Sequence, residues 1–306
     1  MDLSLISKKI KERIEAEGLT SKTGDTVQYV DVNDLSQFVP MPDWFKELTT
    51  LPGVPFKFIV EFAGPPDSGK TTAGMIALIN AQKAGVYTIL VDAERKFAHK
   101  RFKQMGGDPA LLTVIDRPSI EEMADEVESH LKIINDVDPN VKVLVVYDSI
   151  AVGVTKAELE KKMVNNATIA DQAKVVKRFV RRILYYLQTC NTSLILINQM
   201  YKDVNPAAHG GSKISGGQGV EYGKSLSISF RRKKELTNTK QGVLYKTGVL
   251  TVLETKKNHL LDGDMAVKQL DVEVRAYTME SVSAKKSKVK KTDDIDEEDV
   301  IDLEDD

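Results

Sequence analysis

Gly64-Pro65-Pro66-Asp67-Ser68-Gly69-Lys70-Thr71 fits the pattern G-x-x-x-x-G-K-[ST] at every position, and its flanks supply the context the pattern needs. Upstream, Phe58-Ile59-Val60-Glu61-Phe62-Ala63 reads as a buried strand. Downstream, Thr72 to Ala84 reads as a helix with Met75, Ile76, Leu78 and Ile79 on its apolar face. A strand, this loop and then a helix make a phosphate-binding loop. The glycines let backbone N–H groups turn inward on a polyphosphate, and the helix N-terminus adds partial positive charge. Lys70 is expected to reach the β- and γ-phosphates and the Thr71 hydroxyl to ligate Mg²⁺. The nucleotide contacts expected here are Gly64, Pro65, Pro66, Asp67, Ser68, Gly69, Lys70, Thr71 and Thr72. A glycine turn before an ordinary helix needs neither the Lys-Thr pair nor both flanks, so the sequence reads as a nucleoside triphosphate site.

The 306-residue chain is 42% hydrophobic, enough for a sizeable core. No apolar run approaches the roughly eighteen residues of a membrane span. Met1 to Gly18 lacks the apolar stretch of a signal peptide. The single cysteine, Cys190, excludes a disulfide framework. A cytoplasmic protein with no membrane partner is therefore expected. His99, His130, His209 and His259 show no metal-ligand spacing, and no structural zinc is expected.

Charge is segregated. Ten of the 45 acidic residues fall in Asp293 to Asp306, which has no basic residue, leaving 43 basic against 35 acidic residues elsewhere. Lys285-Lys286-Ser287-Lys288-Val289-Lys290-Lys291 precedes that stretch. Such charge blocks predict a disordered tail over 279–306. It reads either as a solubilising terminus or as a polyanion competing for the protein's own basic groove.

Leu3, Ile6, Ile10 and Ile14 recur at helical spacing, and Thr26 to Val30 reads as a strand. Together they predict a helix-strand arm over 1–35, whose apolar stripe, with Ile6 and Ile10, packs either on the chain's own core or at a subunit interface with a neighbouring copy. A proline-rich loop holding Trp44 and Phe45 follows. From 36 to 278 strands and helices alternate as in an α/β protein. Strands are expected at Phe58–Phe62, Thr88–Val91, Val143–Tyr147 and Ser193–Ile197, each apolar enough for a sheet covered on both faces. Helices are expected at Thr72–Ala84, near Phe97–Met105, and over Ile120–Ile134 and Ile169–Leu187. Ser225–Phe230, Leu244–Leu253 and Lys268–Val274 alternate like antiparallel strands. The expected core is thus a mostly parallel sheet with an antiparallel extension.

Leu144 to Tyr147 is an apolar strand ending in Asp148, about 78 residues after Lys70. An acid there lies where Mg²⁺ and its water shell need an acceptor, so Thr71 and Asp148 form the expected metal set. Ile89-Leu90-Val91-Asp92-Ala93-Glu94 ends the strand after the phosphate-loop helix and brings Glu94 toward the γ-phosphate. A carboxylate there can accept the proton of an attacking water.

The wider pattern resembles the RecA-type recombinases. The matching blocks run collinearly from about residue 53 to 260: Gly53-Val54-Pro55; Gly64 to Thr72; Asp92-Ala93-Glu94 followed by Met105-Gly106; Asp148-Ser149-Ile150-Ala151; Ile197-Asn198-Gln199-Met200; and Ser215-Gly216-Gly217-Gln218 followed by Phe230-Arg231-Arg232. The resemblance implies a P-loop NTPase of RecA type, in which ATP and Mg²⁺ order a helical filament of identical subunits on single-stranded DNA. Pairing and strand exchange with double-stranded DNA are the implied activity. Single-strand-binding and mediator proteins are implied as further partners.

Lys70, Glu94 and Gln199 are the implied catalytic set, with Gln199 sensing the γ-phosphate. DNA-binding loops are implied near 160–167 and 200–215, giving Met200, Lys202, Lys213, Gly216 and Gly217 as DNA contacts. Lys174, Arg178 and Arg181, on the helix behind the first loop, extend that set. Lys256 and Lys257 resemble the segment that reaches a neighbour's ATP, and Tyr222 an interface aromatic. The pattern is departed from at three places: His259 stands for a lysine, Glu221 for a lysine, and Arg101 for the aromatic expected against adenine. The chain also runs almost directly from Tyr277 into the charged tail, as phage UvsX-like recombinases do. A DNA motor on the same core and a nucleotide-gated annealing module are the rival readings.

Overall fold

The computed structural model describes residues 30–160, 169–202, 212–214, 217–260 and 268–282, with short pieces at 8–10, 12–13 and 16–17. Residues 8–10 and 12–13 are helical, in keeping with the amphipathic spacing of the arm. Ile6, all but Val30 of the strand expected over 26–30, most of both expected DNA loops, Gly216 and the charged tail from 283 on lie outside the described residues. Met279–Ser281, expected as the disordered start of that tail, instead form a strand paired with Val272–Val274.

One ten-stranded sheet organises the rest. Its strands are β3 (Ile59–Gly64), β4 (Tyr87–Asp92), β5 (Leu112–Ile115), β6 (Val143–Asp148), β7 (Thr192–Lys202), β8 (Ser212–Ile214), β9 (Leu226–Lys240), β10 (Val243–Asn258), β11 (Gln269–Arg275) and β12 (Met279–Ser281). A two-stranded ribbon, β1 (Phe38–Pro40) with β2 (Gly53–Pro55), lies apart from it. The order along the main sheet is β12-β11-β10-β9-β3-β7-β6-β4-β5, with β8 folded back on β7. From β9 to β5 neighbouring strands are parallel, and from β9 to β12 they are antiparallel. The expected parallel core with an antiparallel extension is therefore present. After β3 the chain crosses β7 and β6 to reach β4. The sheet thus reverses its winding beside β3, which is where open α/β sheets bind ligands.

Side chains alternate between two apolar layers with the period of two that strands impose. Leu144, Val146, Ile195 and Ile197 enter one layer, with Trp44, Phe45, Leu78 and Phe230. Val143, Val145, Tyr147, Leu194 and Leu196 enter the other, with Ile120, Val127, Phe179 and Ile183. Two-sided burial is why these strands read as unbroken apolar runs.

Helices cover both faces: α1 (Asp43–Thr49), α2 (Lys70–Lys83), α3 (His99–Gln104), α4 (Ile120–Val137), α5 (Lys156–Glu160), α6 (Ile169–Thr189) and α7 (Gly217–Gly223). Ser119 caps α4, its hydroxyl accepting the Glu122 N–H at 3.2 Å and donating to the Glu122 carboxylate at 3.0 Å.

Several expectations are corrected. The proline-rich loop contains α1, whose Trp44 and Phe45 are buried. The helix near Phe97–Met105 is cut to His99–Gln104. The Asp92 carboxylate accepts the N–H groups of Lys96 and Phe97 at 3.1 and 2.8 Å, turning the chain before the helix begins. Strands β9 and β10 extend well past the apolar segments that marked them, as an exposed hairpin closed by Gln241 and Gly242. Cross-strand backbone bonds sustain that extension without a buried face.

Candidate active site

The phosphate loop joins β3 to α2, and its glycines answer to specific crowding. A Cβ on Gly64 would lie 2.2 Å from the Phe230 carbonyl oxygen of β9. Gly69 has φ 97°, in the left-handed region, and a Cβ there would meet Val274 at 2.8 Å. The Ser68 hydroxyl donates to the Pro65 carbonyl at 2.8 Å, and the Thr251 hydroxyl pins the loop to β10 through the Ser68 carbonyl at 3.0 Å. These contacts fix the loop's backbone from within and from β10.

The loop opens on a cavity of about 720 Å³. Its lining includes Lys70 and Thr71 with Asp148, Glu94, Lys96 and Gln199, and also Arg101, Lys246 to Val249 and Val274 to Ala276. The Lys70 ammonium donates to the Pro65 carbonyl at 2.6 Å. Burial pushes its pKa down to about 8, with Asp148, Glu94 and Asp67 partly offsetting the shift.

Asp148 ends β6, separated from β3 by β7, and accepts the Thr71 hydroxyl at 2.7 Å. Burial raises its pKa to about 6, against the Thr71 hydrogen bond. The Thr71 hydroxyl and the Asp148 carboxylate are hard oxygen donors, the kind Mg²⁺ takes while keeping phosphate and water ligands. The residues present therefore fit a magnesium nucleotide.

Glu94 sits just past β4, on a turn whose Ala93 N–H donates to the Asp148 carbonyl at 2.9 Å. Its Oε1 accepts both the Ser149 hydroxyl and the Gln199 amide, each at 2.8 Å, and its Oε2 accepts Lys96 Nζ at 2.8 Å. Burial works to raise the Glu94 pKa, but the bonds from Lys96, Ser149 and Gln199 and the Lys96 charge hold it below the ordinary value. The structure thus brings Lys70, Thr71, Glu94, Asp148 and Gln199 together. Ser149, Lys96 and Asp92 complete the cluster and were missed by motif reading. Ser149 follows the metal-side acid directly, and that adjacency was the one available signal.

Arg101 lines the cavity beside the first turn of α2. Its Nη2 donates to the Thr72 hydroxyl at 2.8 Å and its Nε to the Ala276 carbonyl at 3.0 Å. Phe102, its neighbour, offers no platform to a base: it is fully buried against Phe97, under Gly107.

The structure does not bring Lys256 and Lys257 into the cavity. Lys257 stands eight residues beyond Val249 on β10, roughly 27 Å at about 3.4 Å per residue. Lys257 Nζ donates to the Glu221 carbonyl of α7 at 2.8 Å, and Lys256 pairs with Glu254. Tyr222, beside Glu221, is 77% exposed.

On α6, Lys174, Arg178 and Arg181 are exposed, and Lys174 pairs with Asp171 at 3.3 Å. Met200 and Lys202 belong to β7, not to a loop, and Lys213 to β8. Met200 pairs with Ile214, Tyr201 with Lys213 and Lys202 with Ser212. Gly217 opens α7. Ile10 is exposed.

A family model described as the RecA N-terminal domain matches residues 43–274. Protein RecA of Leifsonia xyli is 31% identical over 200 residues, covering 65% of this chain and 54% of that protein. Protein RecA of Clavibacter michiganensis is 30% identical over 200 residues, covering 65% and 53%. Protein RecA of Cytophaga hutchinsonii is 29% identical over 208 residues, covering 68% and 56%. The matches span about half the length of these relatives.

Proposed function

The chain belongs to the RecA family, and on that premise we propose that it is an ATP-dependent DNA recombinase. In this reading it forms a helical filament on single-stranded DNA in the cytoplasm and promotes pairing and strand exchange with a duplex. Among the described residues no helix is long and apolar enough to cross a membrane.

Lys70 would turn from the Pro65 carbonyl to the β- and γ-phosphates. Thr71 and Asp148 would hold Mg²⁺, which supplies charge neutralisation across the phosphate oxygens when bound. Glu94 would orient and deprotonate the attacking water. Arg101 would contact the nucleotide from beside Thr72, where the resemblance expects an aromatic against adenine.

The observation that carries the reading is the Gln199–Glu94 hydrogen bond at 2.8 Å. Gln199 sits on β7 three residues before Lys202, where the strand leads into the expected second DNA loop. A residue that touches the hydrolytic glutamate on the strand feeding a DNA loop can bias both sites, and binding coupling is reciprocal. The exposed Tyr222, with Lys256 and Lys257 nearby, supports a second surface that meets a neighbouring copy. A head-to-tail contact of that kind, if it does not close, builds a filament.

ATPase rate with and without single-stranded DNA tests the proposal, with the same samples imaged in a slowly hydrolysed ATP analogue. DNA-stimulated turnover and open helical filaments are expected. Closed rings would favour a motor, and nucleotide binding without turnover a gated binding module.

A further inference from the structure

Nothing in the phosphate-loop motif or the recombinase pattern assigns a role to Lys96, yet it lines the same cavity as Lys70 and Thr71. Its backbone is fixed, because the Lys96 N–H donates to the Asp92 carboxylate at 3.1 Å. Its side chain is 77% exposed and touches Glu94 through one contact, Nζ to Oε2 at 2.8 Å. The result is a short tether whose cationic end is held by one exposed ion pair and lines the cavity beside Glu94.

We propose that Lys96 is a contact for the terminal phosphoryl group, its ammonium leaving Glu94 Oε2 for that group when a triphosphate is bound. The inference rests on the hydrolysis reading above and adds a residue to it.

Competition between anions favours the exchange. An ion pair exposed to water is weak, and a γ-phosphate offers more charge and more acceptor oxygens than one carboxylate. The ammonium also feels Asp148 and Asp67, which places it within electrostatic range of the phosphate loop. Asp67 is on the loop itself and Asp148 faces Thr71, so the groups around Lys96 are those that surround bound phosphate.

Release of Oε2 matters for the chemistry. Oε1 already accepts Ser149 and Gln199, which hold the carboxylate in place. Oε2 is then the oxygen left to take a proton. The water oxygen bonds to the γ-phosphorus, and the bond from that phosphorus to the bridging oxygen breaks. Its electron pair stays on the β-phosphate of the leaving diphosphate, and the water proton goes to Oε2. Lys96 on the γ-phosphoryl oxygens would offset their charge during this transfer.

The test compares Lys96→Ala, Lys96→Gln and Lys96→Arg in the full chain. The readout is the ratio of affinities for a non-hydrolysable ATP analogue and for ADP, with kcat and KM beside it. Loss of one charge-assisted contact is expected to weaken the analogue about tenfold. ADP should move less than twofold, and Lys96→Arg should restore most of the loss. A residue that merely held Glu94 in place would lower kcat and leave that ratio alone. An unchanged ratio in both Lys96→Ala and Lys96→Gln overturns the proposal. The ratio is read without turnover, so a wild-type chain that binds ATP but never hydrolyses it would sink the hydrolysis reading separately.

Discussion

Two glutamates in this sheet carry the same set of partners in opposite surroundings. Glu61 on β3 accepts Lys224, Ser227 and Asn198 at 2.6, 2.8 and 3.0 Å. Glu94 after β4 accepts Lys96, Ser149 and Gln199, each at 2.8 Å. Both sets are a lysine, a serine and an amide. The two amides are consecutive on β7, so the strand's alternation sends them to opposite faces. Asn198 continues the row of Leu194 and Leu196 under α6, while Gln199 continues that of Ile195 and Ile197 toward the phosphate loop. The first ion pair is 0% and 4% exposed, and the second 16% and 77%. A buried pair with every partner in place cannot exchange them and serves as a staple. An exposed one can, and serves as a working group.

Replacing Glu94 is the sharpest way to test that division. Glu94→Ala should lower kcat by about 10²–10⁴-fold, the range general bases supply. It should leave ATP binding and the thermal unfolding midpoint close to wild type. A variant that hydrolyses ATP normally would remove Glu94 from the catalytic role.

The matching change on the buried side should do the reverse. Glu61→Ala leaves buried Lys224 with Glu221 alone, at 2.6 Å, and Ser227 and Asn198 without their carboxylate, and should cost about 1–3 kcal/mol of stability by denaturant unfolding. Replacing both partners together, Glu61→Leu with Lys224→Met, should recover much of that loss, because an apolar pair leaves no uncompensated charge. If the single and double variants are equally unstable, the ion pair is not what the site needs.

Much of this contrast is legible in the sequence, and some is not. The phosphate loop, Asp148 and Glu94 were legible because each sits at a strand end, where an apolar run stops on a polar residue. Strands β3, β6 and β7 were legible for the same reason. Glu61 looked only like one acid inside an apolar run, since its partners lie 137, 163 and 166 positions away. Lys96 and Ser149 likewise gain meaning only when β4 and β6 stand side by side. The short strands β1, β2 and β12, the helix α1 and the outer parts of β9 and β10 escaped notice because pairing and packing, not local periodicity, make them.

Lys70 lies between the two extremes: it is buried, yet must stay charged to hold phosphate. With its pKa near 8, nucleotide affinity should be flat from about pH 7 to 8, above the range where Asp148 takes up its proton. Above about pH 8, affinity should fall by up to about tenfold per unit, as binding must recharge the lysine. Stability should move the other way. The unfolded chain holds this proton up to about pH 10.4 and the folded one loses it near 8, so the Lys70 contribution to folding rises across that window. Titrating ADP binding and the unfolding midpoint from pH 7 to 9.5 checks both signs. Affinity constant across that range would mean that phosphate finds Lys70 uncharged or elsewhere.

The smallest effects belong to the most exposed charges, and α6 offers an internal control. Arg178 and Arg181 face solvent, and among the described residues neither pairs with an acid. Arg182, one position on, is committed: it bonds the buried Glu128 at 2.5 Å and Asp125 at 3.5 Å on α4. If the exposed face tracks single-stranded DNA, each neutralised phosphate contributes about 0.7 to the slope of log affinity against log salt. Arg178→Ala and Arg181→Ala should therefore each flatten that slope by about 0.7, measured by fluorescence anisotropy across salt, with little change in stability. Arg182→Ala should destabilise the fold and leave the slope alone. Equal slopes in all three would show that the helix only faces water. A loss confined to Arg182→Ala would place the phosphate track on the α4 side of α6, where the ion pair now sits.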